Sequence, residues 1–579
     1  MAILESQAIL EKARQWMKSD TFDPETVSEV SRLVAENNLG ELTDRFYKEL
    51  SFGTGGMRGI MGAGTARINS YNLRKACTAV SQYLNTKLLA NQPKKIAICY
   101  DSRHNSKDFA KSCAEVFVAN GFEVLLFKEM RPVSYLSFLI RSEHCAAGVF
   151  ITASHNPPKY NGFKVYWSDG AQIVGPHDEA IVAKYEAQKG YDLARVPYQE
   201  ALAKGLVCEI SQELDKSYLA VAQDYVFVNE GKESYKIVYS PLHGTGVFAI
   251  PSILKMFGFS QVLIPEEQKT PDGNFPSVKS PNPEEPEALT IALEYARKQG
   301  ADLVLATDPD ADRLGVVCRE ADDSFKYLNG NEIACLLTDF LFCKLKQAKK
   351  LPAHPYIVKT IVTTDLLALV AKDYDAKCYD TLTGFKWIAA LIESRKTSSP
   401  AEQFICGGEE SFGFLAGENV RDKDAVLSAA IASELFCELK TKGLTATQAL
   451  DQLFLKHGYF LEKLLSFTFE GALGSEKIIR LMQAFREAKA TLCGYPIAEK
   501  IDYLKGLGEL LPSDVLEFRL AGGLKVCVRP SGTEPKLKLY LSATNFDVGA
   551  SFASLALVKQ STFAAMEEFA ARMQEFVAR

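Results

Sequence analysis

The chain reads as an α/β protein: three similar units, then a smaller α+β unit at the C-terminus. Two observations carry this reading. A strand–helix–strand rhythm occurs three times, and each time a short apolar run passes straight into a polar loop. The final ~120 residues break the rhythm, with several strand-like runs ahead of a helical C-terminus.

The first ~40 residues interleave charges with Leu, Ile, Ala and Val and read as helical. A glycine-dense stretch, Phe52–Gly59, follows. In the first unit Ile96–Tyr100, Val124–Phe127 and Ala146–Ile151 are buried-strand candidates, and Phe109–Ala119 has helical spacing. The last of these strands runs into Thr152-Ala-Ser-His-Asn-Pro-Pro158. In the second unit Lys236–Tyr239, Val262–Ile264 and Leu303–Ala306 lead to Thr307-Asp-Pro-Asp-Ala-Asp-Arg313. In the third, Ile357–Lys359 and Phe404–Cys406 lead to Gly407-Gly-Glu-Glu-Ser411. The C-terminal ends of strands are where open parallel sheets place ligands. In the last unit Leu516–Arg519 and Leu524–Val528 precede Arg529-Pro-Ser-Gly-Thr-Glu-Pro-Lys536. Leu537–Leu541 follows as another strand, and an Ala/Met/Glu-rich helix closes the chain. Thr397–Pro400 reads as a surface loop. The expected domain divisions are 1–210, 211–325, 326–455 and 456–579.

Length and composition fit several ordinary globular cores. The chain has 579 residues, 47% of them hydrophobic and 24% charged, with a formal net charge of -6. No Lys/Arg run stands out, which argues against nucleic acid as a partner. The 13 cysteines form no CxxC pair and sit at no zinc spacing with histidine, so they read as buried thiols in a reducing compartment. Acidic residues interrupt the N-terminal apolar run, so it is not a signal peptide, and no apolar run approaches the ~18 residues of a membrane span. The expectation is a cytoplasmic, soluble protein.

Asp308, Asp310 and Asp312 alternate along the chain, so an extended loop would turn all three carboxylates to one side, onto a hard cation. An EF-hand would need Gly and Glu where Arg313 and Arg319 stand. Mg²⁺ suits a phosphate enzyme better, and the plainer alternative is a solvated acidic turn. Ser154 stands beside His155 in a loop stiffened by two prolines, so its hydroxyl is a candidate nucleophile, though Ser-His-Asn-Pro alone is also a common turn. A GxSxG elbow is absent; Glu409-Glu-Ser-Phe-Gly413 lacks the first glycine. The segment from Arg529 to Lys536 gathers Arg, Lys, two hydroxyls and a glycine, the donor set a phosphate dianion needs. Gly53–Gly59 with Arg58 is a weaker phosphate-loop candidate. Gly244-Thr-Gly-Val-Phe-Ala249, with Glu266 downstream, outlines a dinucleotide fingerprint but leaves the other loops unexplained.

Taken together and in order, these loops resemble the α-D-phosphohexomutase family, in particular its phosphoglucomutase and phosphopentomutase branch. TASHNPP resembles the phosphoserine loop, DPDADR the magnesium loop, GGEES the sugar-recognition loop and RPSGTEPK the phosphate-binding loop. The resemblance implies three similar α/β domains with mixed sheets and a smaller fourth domain around a central cleft. It implies phosphate carried on Ser154, with Mg²⁺ held by Ser154, Asp308, Asp310 and Asp312. His155, Arg58, Arg313, Lys164 and Lys423 would be catalytic. Thr383, Gly384, Lys386, Glu409, Glu410, Ser411, Arg421, Arg529, Ser531, Gly532, Thr533 and Lys536 would bind substrate. Lys164, Lys386 and Lys423 are all open as the acid/base lysine, or each as a phosphate counter-ion; Arg421 and Lys423 lie about one residue further downstream than in the family.

The reaction implied is the interconversion of glucose 1-phosphate and glucose 6-phosphate through glucose 1,6-bisphosphate, by a monomer. Phosphopentomutase, phosphomannomutase and glucose 1,6-bisphosphate synthase remain alternatives. A sugar-phosphate sensor and an NAD-dependent dehydrogenase are more distant ones.

Overall fold

The computed structural model describes residues 2–53, 55–89, 91–469, 471–532 and 536–578. The chain divides into two compact units, Met1–Val317 with Gly413–Glu434, and Cys318–Phe412 with Leu435–Arg579.

The first unit opens with helices Ala2–Lys18, Pro24–Ala35 and Leu39–Phe46, in agreement with the helical reading of the N-terminus. Asp23 caps the second helix by accepting from Thr26 N at 2.7 Å and also takes the Tyr71 hydroxyl at 2.6 Å. Trp16, Phe22 and Phe46 are buried with Tyr71, and the Trp16 and Phe22 rings stack at 4.1 Å.

Next comes a mixed six-stranded sheet, in the order Gly56–Ile60, Tyr160–Trp167, Ala147–Ile151, Lys95–Tyr100, Glu123–Phe127 and Val207–Ile210. Its three expected strands are present and pair in parallel through Lys95–Tyr100, packed under a continuous apolar core that includes Ile96, Ile98, Val124, Val149 and Ile151. The glycine-dense stretch differs from its reading as a loop. Gly56–Ile60 is an edge strand antiparallel to Tyr160–Trp167. Gly56 sits at φ +154°, and a Cβ there would lie 2.0 Å from Phe163 O, so the close approach requires glycine.

Within the same unit Lys236–Ser240 pairs in parallel with both Gln261–Leu263 and Leu303–Thr307. The helix Thr290–Gln299 ends at Gly300, whose left-handed conformation turns the chain into Leu303–Thr307.

In the second unit, Pro355–Thr360 pairs in parallel with Lys377–Thr381 and with Gln403–Glu409. Two helices here, Gly330–Gln347 and Ala446–His457, begin with reciprocal capping boxes, Asn329 with Glu332 and Thr445 with Gln448. The C-terminal part is a six-stranded antiparallel sheet in the order Tyr459–Thr468, Lys536–Asn545, Leu524–Pro530, Leu516–Leu520, Tyr495–Asp502 and Thr491–Leu492. Helix Phe552–Ala578 buries Met566, Phe569 and Met573 in the same core as Phe518, Val526 and Leu539. The smaller α+β unit expected from the sequence is therefore present. Among the described residues no helix is long and apolar enough to cross a membrane.

Candidate active site

Strand Ala147–Ile151 delivers the Thr152–Pro158 loop. Ser154 is buried in a left-handed conformation, φ +50°, unusual for a residue with a Cβ. Its amide donates to Thr152 Oγ1 at 2.8 Å, and its hydroxyl donates to Asp308 Oδ2 at 2.8 Å and lies 3.1 Å from His155 Nδ1. Burial, then the nearby Arg313 and Arg58, hold the His155 imidazole well below its ordinary range, which favours the neutral ring. Arg58, on the glycine-rich edge strand, donates to Asn156 Oδ1 at 2.9 Å.

The three aspartates converge, but not through the extended loop expected. Asp308 follows the end of strand Leu303–Thr307 and the chain then turns: Ala311 N donates to Asp308 O at 2.9 Å, Ala311 adopts φ +51°, and Asp312 N and Arg313 N each donate to Asp308 Oδ1 at 3.1 Å. A turn brings alternate carboxylates closer than a pleated strand would. All three are buried, and their oxygens lie within 4.8 Å of one another.

Asp310 Oδ1 and Asp312 Oδ1 are buried without a hydrogen-bond partner. Orphaned carboxylate oxygens converging in a buried pocket fit a hard divalent cation. Without one, burial and then the neighbouring Asp312 and Asp310 push Asp308 well above the ordinary carboxylate range, and burial with Asp310 lifts Asp312 as well. Burial acts on Asp310 too, but Lys164 and the hydrogen bond to Asp308 outweigh it and hold Asp310 low.

Two lysines close on this triad. Lys164 Nζ lies 2.9 Å from Asp310 Oδ2 and 3.8 Å from Asp312 Oδ2, and Lys423 Nζ lies 3.1 Å from Asp312 Oδ2. Gly413 makes room for the second lysine; a Cβ there would meet Lys423 Cδ at 2.1 Å. Asp422, which takes the Tyr166 hydroxyl at 2.8 Å and the Lys423 amide at 2.8 Å, steadies the Lys423 backbone. Arg421 is buried within its own loop, donating to Val420 O at 3.2 Å and Glu418 Oε2 at 2.9 Å, with further donation to Glu418 O. Arg313 pairs with Glu284.

The dinucleotide-like segment has another role. Thr245 N and Thr245 Oγ1 both donate to Pro309 O at 2.9 Å. A Cβ on Gly246 would lie 2.0 Å from Tyr239 Oη, and one on Gly244 would lie 2.5 Å from Pro309 Cα. These glycines let the segment pack against the aspartate turn and hold it in place.

In the second unit Gly384 N donates to Glu409 Oε1 at 2.8 Å, linking the Thr383–Gly384 turn to the Gly407–Ser411 segment. Thr383 Oγ1 is buried without a hydrogen-bond partner. Lys386 Nζ sits over the Trp387 ring at 5.0 Å. Glu410 Oε2 lies 3.4 Å from Thr360 Oγ1 and 3.3 Å from Thr363 Oγ1. Burial and then Glu409 raise Glu410 to about 7, against the nearby Lys538 and Arg529. Ser411 lies in the turn between Glu409 and Gly413. Arg529 bonds the Tyr540 hydroxyl, and Ser531 N donates to Lys536 O at 2.8 Å, closing the loop on which Gly532 is exposed. Thr533 lies outside the described residues.

The sequence reading missed Asp101, Arg103, Thr152, Glu284, Lys538 and Tyr540. Asp101 and Arg103 carried a usable signal. They follow strand Lys95–Tyr100, which runs parallel to Ala147–Ile151 with Tyr100 opposite Ile151, so both loops leave the same sheet edge side by side.

Comparison with known proteins agrees with this geometry. The four sequence profiles of the phosphoglucomutase/phosphomannomutase family match in order: α/β/α domain I over residues 49–192, domain II over 216–321, domain III over 329–456 and the C-terminal domain over 475–553. A phosphoglucomutase of Staphylococcus epidermidis is 36% identical over 547 residues, covering 92% of this chain and 98% of that protein. A phosphoglucomutase of Staphylococcus aureus strain RF122 is 35% identical over 522 residues, covering 88% and 92%. Among solved structures, the phosphoglucomutase parafusin from Paramecium shares the fold, with TM-score 0.66 at 18% identity over 92% of this chain and 96% of that one. The chain belongs to the phosphoglucomutase/phosphomannomutase family, the α-D-phosphohexomutases, and is an isomerase of the phosphotransferase kind.

Proposed function

We propose that the chain is a phosphoglucomutase interconverting glucose 1-phosphate and glucose 6-phosphate, with Ser154 as the phosphate carrier. The observation that supports this most is the buried Ser154 hydroxyl, 2.8 Å from Asp308 Oδ2 in the aspartate cluster. Asp308, Asp310 and Asp312 would hold Mg²⁺, which when bound neutralises charge on the transferring phosphate.

In the forward half-reaction the bond from phosphorus to Ser154 Oγ breaks and a bond to the free sugar hydroxyl forms. The hydroxyl's proton leaves to a base, for which Lys423 is the candidate beside the triad, while Lys164, held charged by Asp310 and Asp312 against its burial, serves as a counter-ion to the phosphate. The base then returns that proton to Ser154 Oγ as it leaves phosphorus, while the neutral His155 ring, its Nδ1 3.1 Å away, orients the oxygen. Arg58 and Arg313 supply positive charge to the phosphate oxygens. The glucose 1,6-bisphosphate so formed rebinds reversed and returns its other phosphate to Ser154.

Recognition is assigned to the second unit. Thr383, Gly384, Lys386, Glu409, Glu410 and Ser411 read the sugar, and Arg529, Ser531, Gly532, Thr533 and Lys536 hold the phosphate that is not reacting. Arg421 acts from within its own loop. The protein is read as a cytoplasmic monomer of four domains, 1–210, 211–325, 326–455 and 456–579.

The testing experiment compares turnover of glucose 1-phosphate, ribose 1-phosphate and mannose 1-phosphate with glucose 1,6-bisphosphate as primer. The highest kcat/KM is expected for glucose 1-phosphate; a clear preference for either other sugar overturns the choice of substrate.

A further inference from the structure

Arg103 is paired in charge with Asp101 and has no place in the reaction as proposed, yet both terminal nitrogens of its guanidinium are fully hydrogen-bonded. Its side chain is fully buried. Nη1 donates to Pro157 O at 3.0 Å and Tyr160 O at 3.1 Å, and Nη2 donates to Ser154 O and Asn156 O. All four Nη hydrogens therefore end on backbone carbonyls of one seven-residue segment, Ser154–Tyr160. Nε lies 3.4 Å from Asp101 Oδ2, and Asp101 Oδ1 accepts from the Arg103 amide at 2.9 Å and from Ser106 Oγ at 2.8 Å. Phe275 supports the far side, its ring centroid 5.0 Å from Arg103 Cζ.

We propose that Arg103 is a positioning residue for the Ser154 nucleophile. Ser154 holds a left-handed backbone that a side-chain-bearing residue keeps only when its surroundings over-determine it. Both of its peptide groups are fastened: the N–H to Thr152 Oγ1 at 2.8 Å, the C=O to Arg103 Nη2. Fixing φ and ψ fixes the direction of the Cα–Cβ bond, and that direction puts Oγ on Asp308. Only a planar fork with four terminal hydrogens can collect four carbonyls at once; a lysine ammonium offers three donors from a single point. Arg103 touches neither the phosphate carrier's hydroxyl nor the aspartates, so it acts through the loop alone.

This inference rests on Ser154 as phosphate carrier, and the test separates the two. Wild type, Ser154→Ala, Arg103→Lys and Asp101→Asn are compared for kcat and KM with glucose 1-phosphate, and for thermal stability. Ser154→Ala should be inactive. Arg103→Lys keeps the charge beside Asp101 but loses the fork; kcat should fall by ~10²-fold with KM within about threefold, since a displaced reacting group costs turnover more than binding. Asp101→Asn keeps the Arg103 contacts but loosens their anchor, and kcat should fall by several-fold; it decides the question should Arg103→Lys fail to fold. Activity in Ser154→Ala overturns the phosphoserine reading itself. Inactive Ser154→Ala with wild-type kcat in the folded Arg103 variant, or in Asp101→Asn where only that variant folds, overturns the role of Arg103, whatever the loss of stability.

Discussion

The Ser154 hydroxyl donates to Asp308 Oδ2 at 2.8 Å. The two residues come from different sheets, one from the end of strand Ala147–Ile151 and the other from the end of Leu303–Thr307. Thr152 Oγ1 repeats the link one turn away, 3.3 Å from Asp310 Oδ2. A proposed nucleophile and a candidate metal ligand in direct contact should depend on one another.

The first prediction follows from that contact. Chelation should abolish activity and added Mg²⁺ should restore it. Asp310→Ala removes one of three converging carboxylates and should raise the Mg²⁺ concentration for half-maximal activity by ~10-fold or more. A magnesium titration of wild type and variant checks this; full activity in excess chelator contradicts it.

Arg529 and Glu409 should divide their work differently. In the proposed role Arg529 donates to a phosphate, and losing such a donor costs ~1.5–3 kcal/mol, about tenfold to over a hundredfold. Arg529→Ala should therefore lower kcat/KM for glucose and ribose phosphates by similar factors. Glu409, fixed by the Gly384 amide at 2.8 Å, should set the sugar, so Glu409→Gln should change the ratio between those substrates. Kinetics with both sugars decides; the reverse pattern would exchange the two roles.

Glu462 gives a stability prediction. Burial lifts its carboxyl from 4.5 to about 7, against the Thr364 hydroxyl and Lys525. A carboxyl with a raised folded-state pKa stabilises the fold fully below its unfolded value and loses that contribution as pH climbs through the folded value. Glu462→Gln keeps a neutral side chain at every pH. Its melting temperature should match wild type near pH 5 and exceed it by a few degrees near pH 8, on the order of 2 kcal/mol. A gap independent of pH, or a less stable variant at pH 8, contradicts this.

Much of this was legible in the sequence because strands buried on both faces leave continuous apolar runs. Leu303–Thr307 and Ala147–Ile151 announce themselves that way, and so do the polar loops they deliver. Gly56–Ile60 was hidden, since its glycines mark a close backbone approach and not a turn. The aspartate turn was drawn as extended because alternation alone does not reveal the left-handed Ala311. Arg103 was legible in its place after a strand, but not in its role. Its partners lie about fifty residues downstream, and nothing local in Asp-Ser-Arg tells that four carbonyls will gather there. The Gly244–Ala249 segment shows the converse: a familiar spacing of glycines that serves packing against Pro309.

The central claim, that phosphate passes through Ser154, is tested most directly by labelling. The protein is incubated with glucose 1,6-bisphosphate carrying ³²P, digested, and the labelled peptide identified before and after a chase with unlabelled glucose 1-phosphate. The account predicts label on the peptide containing Ser154, lost within the time of a few turnovers during the chase and absent from Ser154→Ala. Label on another residue, or label on Ser154 that the chase leaves in place, would contradict it.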